Sequence, residues 1–299
     1  MNLIRFFITL ITGLILSTNS NAQQEPRSAF FWNNYMHTNP AMTGSVYKHH
    51  ANVQWRNQWV NTNGAPTTLW LNYAMKLDSI NSGVGVSYEY DVIGFNKSHT
   101  ALLSYAYHLP IKNMFLSFGA SAGVKTMKIK GTDFIFSSQA PQDPLFFEDR
   151  QLNPVFQCDF GLALHAENWN IGLSATQLNG SKFRDPYFPL KNEPHFWLFA
   201  DYTFSLGEKW KLTPRLQSYT DGNRICSSLA LIAEFNDNLW FGVAGSIPSN
   251  GGRYAIGPMI GYDIVGKFRI GYTYEFWFSN SPSLYNDGTH EIILSYQLK

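Results

Sequence analysis

Gly83-Val84-Gly85-Val86-Ser87-Tyr88-Glu89-Tyr90-Asp91 reads as two interleaved sets of residues. In an extended chain Val84, Val86, Tyr88 and Tyr90 fall on one side, and Gly83, Gly85, Ser87, Glu89 and Asp91 on the other. A helix would scatter both sets around its surface, so the period of two predicts a β-strand with one apolar face and one small or polar face. The pattern returns in 268–277, where Phe268, Ile270, Tyr272, Tyr274 and Phe276 alternate with Arg269, Gly271, Thr273 and Glu275. It returns again near the end, at Ile292, Leu294, Tyr296 and Leu298.

Read outward in this way, the chain predicts about fourteen strands: 47–58, 67–78, 82–91, 98–109, 114–127, 155–167, 169–177, 195–206, 210–218, 225–236, 239–246, 253–263, 267–277 and 289–298. Most approach the roughly 9–11 residues that a tilted membrane strand needs. The links are sorted by length. Those after even-numbered strands are short: 78–81, 110–113, 167–168, 207–209, 236–238 and 264–266. Those after odd-numbered strands are mostly longer, as in 128–154 and 178–194. That asymmetry predicts an all-β fold, a transmembrane antiparallel β-barrel with short periplasmic turns and longer extracellular loops. An apolar face on every strand would aggregate in water, and an open sheet would leave edges; closure within a bilayer removes both problems. Tyr107, Trp169, Tyr202, Trp210, Trp240 and Tyr262, near strand ends, fit an interfacial girdle, with some of them expected to face the lumen instead.

Composition agrees. Aromatic residues make up 16% of the 299 and charged residues 14%, against about 25% charged in soluble domains. The mean hydropathy is nonetheless slightly negative, as alternating strands produce and long apolar helices do not. A net charge of +1 gives no electrostatic case for a nucleic-acid partner. Residues 1–22 have the form of a cleaved signal peptide: Arg5, an apolar run from Phe6 to Leu16, and the small residues Ser20-Asn21-Ala22. The expected division is therefore signal peptide 1–22, a periplasmic or lumenal N-terminal segment 23–45, and a barrel 46–299. Cys158 and Cys226 read as independent thiols.

The stretch 32–68 is dense in turn formers, indoles and amides. Pro40, Pro66, Gly44 and Gly64 break the chain sharply, and between the breaks Gln54, Arg56 and Gln58 share one face of a strand that cannot be lipid. Here the sequence resembles the PorP/SprF family of type IX secretion system membrane proteins. The residues carrying the likeness are Asn33-Asn34-Tyr35, Asn39-Pro40-Ala41, Gly44-Ser45, Arg56-Asn57-Gln58-Trp59 and Gly64-Ala65-Pro66-Thr67-Thr68, followed by Gly83-Val84-Gly85 and Asp91-Val92-Ile93-Gly94. The resemblance implies an outer-membrane barrel of a Bacteroidota-type machinery for protein secretion and, in some members, gliding motility. Its implied partners are the lipoprotein and periplasmic ring components of that machinery, or the C-terminal domain of a secreted adhesin, besides the lipid bilayer. Asn34, Tyr35, Asn39, Pro40, Gly44, Arg56, Gln58, Trp59, Gly64 and Pro66 are the candidates for partner binding or for a lumen plug, with Arg56 expected to reach a lumen carboxylate such as Glu89 or Asp91.

The inward positions are rich in Gly and Ser, including Gly83, Gly85, Gly119, Gly123, Gly161, Gly172, Gly257, Gly261 and Gly271. Either they relieve crowding where strands bend, or they leave room for a polypeptide in the lumen. Arg56, Glu89, Asp159, Asp201, Arg215, Asp263, Arg269 and Glu275 fall on the inward faces or at strand ends, where charges are expected to pair across the lumen. His37, His49 and His50 do not make a metal site, because adjacent strand residues point to opposite faces. With no GxSxG motif or compelling Ser/His/Asp spacing, no catalysis, cofactor or metal is expected. The alternative function is an outer-membrane channel for small or hydrophobic solutes, with 23–45 as its hatch.

Overall fold

The computed structural model describes residues 25–131, 148–184, 190–248, 254–278 and 287–298. The expected signal peptide, much of the expected loop 128–154 and part of 178–194 lie outside the described residues.

Alternation becomes strand wherever it was read. In chain order the strands are β1 His49–Asn57, β2 Thr67–Leu77, β3 Ser82–Ile93, β4 Asn96–Ile111, β5 Met114–Lys130, β6 Asp149–Gln151, β7 Val155–Ala166, β8 Trp169–Thr176, β9 His195–Tyr202, β10 Phe204–Leu206, β11 Trp210–Thr220, β12 Ile225–Phe235, β13 Leu239–Pro248, β14 Tyr254–Ile264, β15 Phe268–Phe278 and β16 Thr289–Leu298. β6 is a three-residue extension paired to the end of β5. β10 is another, set off from β9 where the ladder breaks at Thr203. The other fourteen strands form a closed antiparallel β-barrel, sealed by pairing of β1 with β16 from His49↔Leu298 to Asn57↔His290. Among the described residues each of these fourteen strands is paired on both sides, so the wall has no open edge strand.

The wall has the predicted phase. Along β1, Asn52, Gln54 and Arg56 are buried while Val53 and Trp55 are exposed; along β14, Ala255 and Met259 are buried while Tyr254, Ile256, Ile260 and Tyr262 are exposed. The outward apolar residues, such as Leu103 and Leu173, meet lipid. The inward ones meet protein, because residues 25–45 lie inside the ring of strands as a coiled segment with short helical turns at Phe31–Asn33, Tyr35–Thr38 and Pro40–Met42. Phe30, Phe31, Trp32, Tyr35, Ala41 and Met42 pack against Phe199, Ile232, Trp240, Met259 and Ile293 from the wall.

Of the girdle candidates, Trp240 is one that faces the lumen, 1% exposed; its indole stands edge-on to Phe30 and Trp32, at 5.9 and 5.5 Å between centroids. Tyr107, Tyr202, Trp210 and Tyr262 do face outward. The link after β3 is short as well, since Ile93 and Asn96 are already a ladder pair, so loop length sorts the two ends less strictly than the sequence implied. Cys226 faces inward and Cys158 outward on β7, both as free thiols.

Candidate functional site

The inner surface that holds residues 25–45 is a series of side-chain sockets on strands all around the barrel. The long-loop end is taken as outer and the short-turn end as periplasmic. The segment starts in the outer half, where Glu25 lies 3.7 Å from Lys125 and accepts a hydrogen bond from Gln177. Arg27 lies 5.0 Å above the Trp277 ring. Next comes Glu291, fully buried, whose carboxylate accepts from Ser28 Oγ at 2.6 Å, from the Ala29 amide at 2.9 Å and from Gln54 Nε2 at 2.5 Å.

Arg56 completes this cluster, donating to both Glu291 and Glu275. The expected partners, Glu89 and Asp91, are therefore wrong. Arg56 stands opposite Glu291 in the ladder that closes the barrel, with Thr68 on its other side. Glu89 instead meets His37 at 3.1 Å and the Trp70 indole at 2.9 Å, and Asp91 meets Thr68 at 2.7 Å. A buried guanidinium between two carboxylates has its desolvation cost offset only while both remain charged and in place.

Below this cluster, Asn33 Nδ2 donates to Asn52 Oδ1 at 2.8 Å and Ser295 Oγ at 2.7 Å, and Tyr35 Oη donates to Asp201 at 2.8 Å while its ring stacks on Phe199 at 4.2 Å. Burial and the Asp201 charge hold the Tyr35 phenol well above its usual pKa, so it stays a donor. Arg215 and Arg269 approach the Trp32 ring at 4.8 and 5.2 Å. Asn39 Nδ2 donates to the carbonyls of Leu162 and Leu173 at 3.1 and 3.2 Å, while its Oδ1 accepts from the Ala41 amide at 2.9 Å, capping the turn that begins at Pro40.

The inward glycines divide by what a side chain would strike. At Gly83, Gly85, Gly119 and Gly161 a Cβ would collide with Thr43, Met36, Pro40–Ala41 and Asn39 respectively. Gly172 lies against both Phe199 and Asn39. At Gly261 and Gly271 a Cβ would strike the Trp240 indole, and at Gly123 and Gly257 the backbone of a neighbouring strand. Both readings of the glycines thus hold, each for a different subset. Gly44, at φ +65° and pressed on Gly83 and the Met75 carbonyl, turns the chain out of the lumen toward β1.

Of the candidate residues, Asn34, Tyr35, Asn39, Pro40 and Gly44 lie in the inner segment and Arg56 in the wall that binds it. Gln58, Trp59, Gly64 and Pro66 sit apart, on the outer connection between β1 and β2. There the Gln58 amide donates to the Pro66 carbonyl at 2.9 Å, Trp59 packs edge-on against Trp277 at 5.4 Å, and the Gly64 carbonyl accepts from Gly94 at 2.9 Å. Two features were missed. Glu291 was legible from phase alone, since it alternates with the outward Ile292 and Leu294. The chain His165–Ser117–His108, with contacts of 2.8 and 2.7 Å and His108 Nε2 at 3.0 Å from the Thr43 carbonyl, joins β4, β5 and β7 and has no local signature. It fastens the end of the inner segment. His49 pairs with the outward Tyr73, while His37 meets Glu89.

Cavities beside the inner segment include one of about 200 Å³ toward the periplasmic end and one of about 130 Å³ in the outer half. The arrangement is suited to holding a polypeptide in the lumen.

Comparison with known proteins bears on identity. Among solved structures the chain is similar to a Pseudomonas aeruginosa FadL homologue, with TM-score 0.54, 10% identity, and coverage of 95% of this chain and 96% of that one. It is similar also to the Acinetobacter baumannii outer membrane protein Omp33, with TM-score 0.50, 12% identity and coverage of 86% and 100%. The Ralstonia pickettii toluene transporter TbuX gives TM-score 0.50, 12% identity and coverage of 88% and 92%. These likenesses show the fold, that of outer-membrane barrels. No curated protein matches the sequence. The model of the family described as type IX secretion system membrane protein PorP/SprF matches residues 20–296, and the chain belongs to that family as an outer-membrane β-barrel.

Proposed function

We propose that this barrel is a non-enzymatic component of the type IX secretion apparatus, working by protein–protein contact rather than by passing solutes. Its partners are lipoprotein or periplasmic ring components of the apparatus, or the C-terminal domain of a secreted adhesin. The observation that carries this reading is the occupied lumen. Residues 29–43 are bonded to strands on every side of the barrel and bury a core of aromatic side chains, which supports a lumen closed by the chain's own N-terminal segment. A closed barrel offers its two rims to partners. Affinity purification of the tagged protein from outer membranes, followed by mass spectrometry, tests the proposal: recovery of secretion components or of an adhesin is expected, and their absence counts against it.

Fold likeness to the FadL homologue and the toluene transporter favours a second reading, a hydrophobic-solute channel with the inner segment as hatch. Solute flux into proteoliposomes separates the two.

A further inference from the structure

We propose that the outward face at the outer end of β3, β4 and β5 is a binding site for a phosphate-bearing glycolipid of the outer leaflet. Lys97 on β4 and Lys128 on β5 are direct ladder partners, and strand alternation places both on the lipid-facing side, with Ser98 and Lys125 turned inward. Like charges directly opposite one another repel. Asp149 neutralises Lys128 at 2.9 Å, whereas Lys97 has no ion-pair partner among the described residues. Among the described residues the pair therefore carries an uncompensated positive charge, at the level where headgroups begin.

The rows beneath complete the shape of a lipid site. One row inward, at about 7 Å along the strand, His99 bonds Tyr88 Oη through Nδ1 at 2.7 Å and lies 4.8 Å from the Tyr90 ring. This leaves its Nε2 for a sugar hydroxyl or phosphate oxygen. Farther in, the same face becomes purely apolar, with Leu103 at 70% exposure and Val124 at 47%, a surface for acyl chains. Charged lysines above, polar aromatic groups next and a hydrocarbon face below match a phosphorylated, acylated headgroup in order.

The barrel carries its own control. On β15 and β16, His290 bonds Tyr272 Oη at 2.8 Å and meets the Tyr274 ring at 5.1 Å, repeating the His–Tyr girdle without an opposed lysine pair. The girdle alone accounts for interfacial anchoring; the lysines are what is added at β4 and β5.

Native mass spectrometry of the full-length mature protein, released from detergent after incubation with bis-phosphorylated lipid A, tests this. Each lysine near a headgroup phosphate is expected to contribute about five-fold, so Lys97→Gln with Lys128→Gln lowers retention by about twenty-five-fold. Tyr272→Phe in the second girdle leaves it unchanged. Independently of any variant, the wild-type protein is expected to retain phosphorylated lipid A in preference to dephosphorylated lipid A and to phosphatidylglycerol, and inorganic phosphate alone should not displace it. Equal retention of the dephosphorylated lipid or of phosphatidylglycerol overturns the proposal, as does displacement by inorganic phosphate. So does undiminished retention by a double variant that still migrates as a folded, heat-modifiable barrel.

Discussion

Arg56 and Glu291, 235 residues apart in sequence, face one another across the seam at which the first and last strands close the barrel. The same carboxylate receives Ser28 and the Ala29 amide, so one pair joins barrel closure to placement of the N-terminal segment.

Replacing Arg56 by Ala leaves Glu275 and Glu291 buried without their cation, at an expected cost of about 3–5 kcal/mol. Urea titration of the detergent-solubilised protein, read by loss of the fast-migrating folded band, should show a clearly lower midpoint. A triple change, Arg56→Met with Glu275→Gln and Glu291→Gln, removes all the charges together and should recover much of the loss. An Arg56→Ala midpoint equal to wild type would contradict the role of the pair.

The glycine subsets make separable predictions. Gly119→Val strikes Pro40 and Ala41, whereas Gly123→Val strikes the Ala101 carbonyl of the neighbouring strand. The first should displace the inner segment and raise ion conductance in planar bilayers while the barrel still folds. The second should lower barrel stability and leave few folded molecules. Identical behaviour of the two variants would remove the distinction.

The inner segment should be held best at intermediate pH. Burial alone would raise the pKa of Glu25, but Lys125, His195 and its bond to Gln177 bring it down to about 2. Its contribution is therefore present above the ordinary value near 4.5 and is lost as pH falls toward 2. Burial opposes charging of His37, yet the bond to Glu89 and that residue's charge outweigh it and raise the pKa above the ordinary 6.5. Its contribution is fully present below 6.5 and is lost as pH rises through the raised value. Protease sensitivity of residues 25–45 should increase at both extremes, and His37→Gln should abolish the alkaline limb alone. A limb unchanged in that variant contradicts the assignment.

Much of the fold was legible because a lipid-facing wall enforces strict alternation: one slipped residue would turn Arg56 outward and Trp55 inward. Boundaries could be read because Gly, Asn and Asp cluster at the turns. What could not be read was the cross-barrel geometry. Closure of the barrel implies that the first and last strands pair, but the register that sets Glu291 opposite Arg56 has no local signature. Trp240 carries the same indole as a girdle tryptophan, and its inward direction follows only from its phase with Gly242, Ala244 and Ser246 against the outward Phe241 and Val243; the notch at Gly261 and Gly271 that receives it is visible in the structure alone. The His165–Ser117–His108 chain is likewise assembled by register alone.

The central claim, a secretion component and not a solute channel, is tested most directly in a strain lacking this protein, by assaying export of type IX cargo alongside uptake of a hydrophobic solute. The account predicts that export or surface retention of at least one cargo protein is lost, that uptake is unchanged, and that the wild-type chain restores export. Normal export with impaired uptake would contradict it.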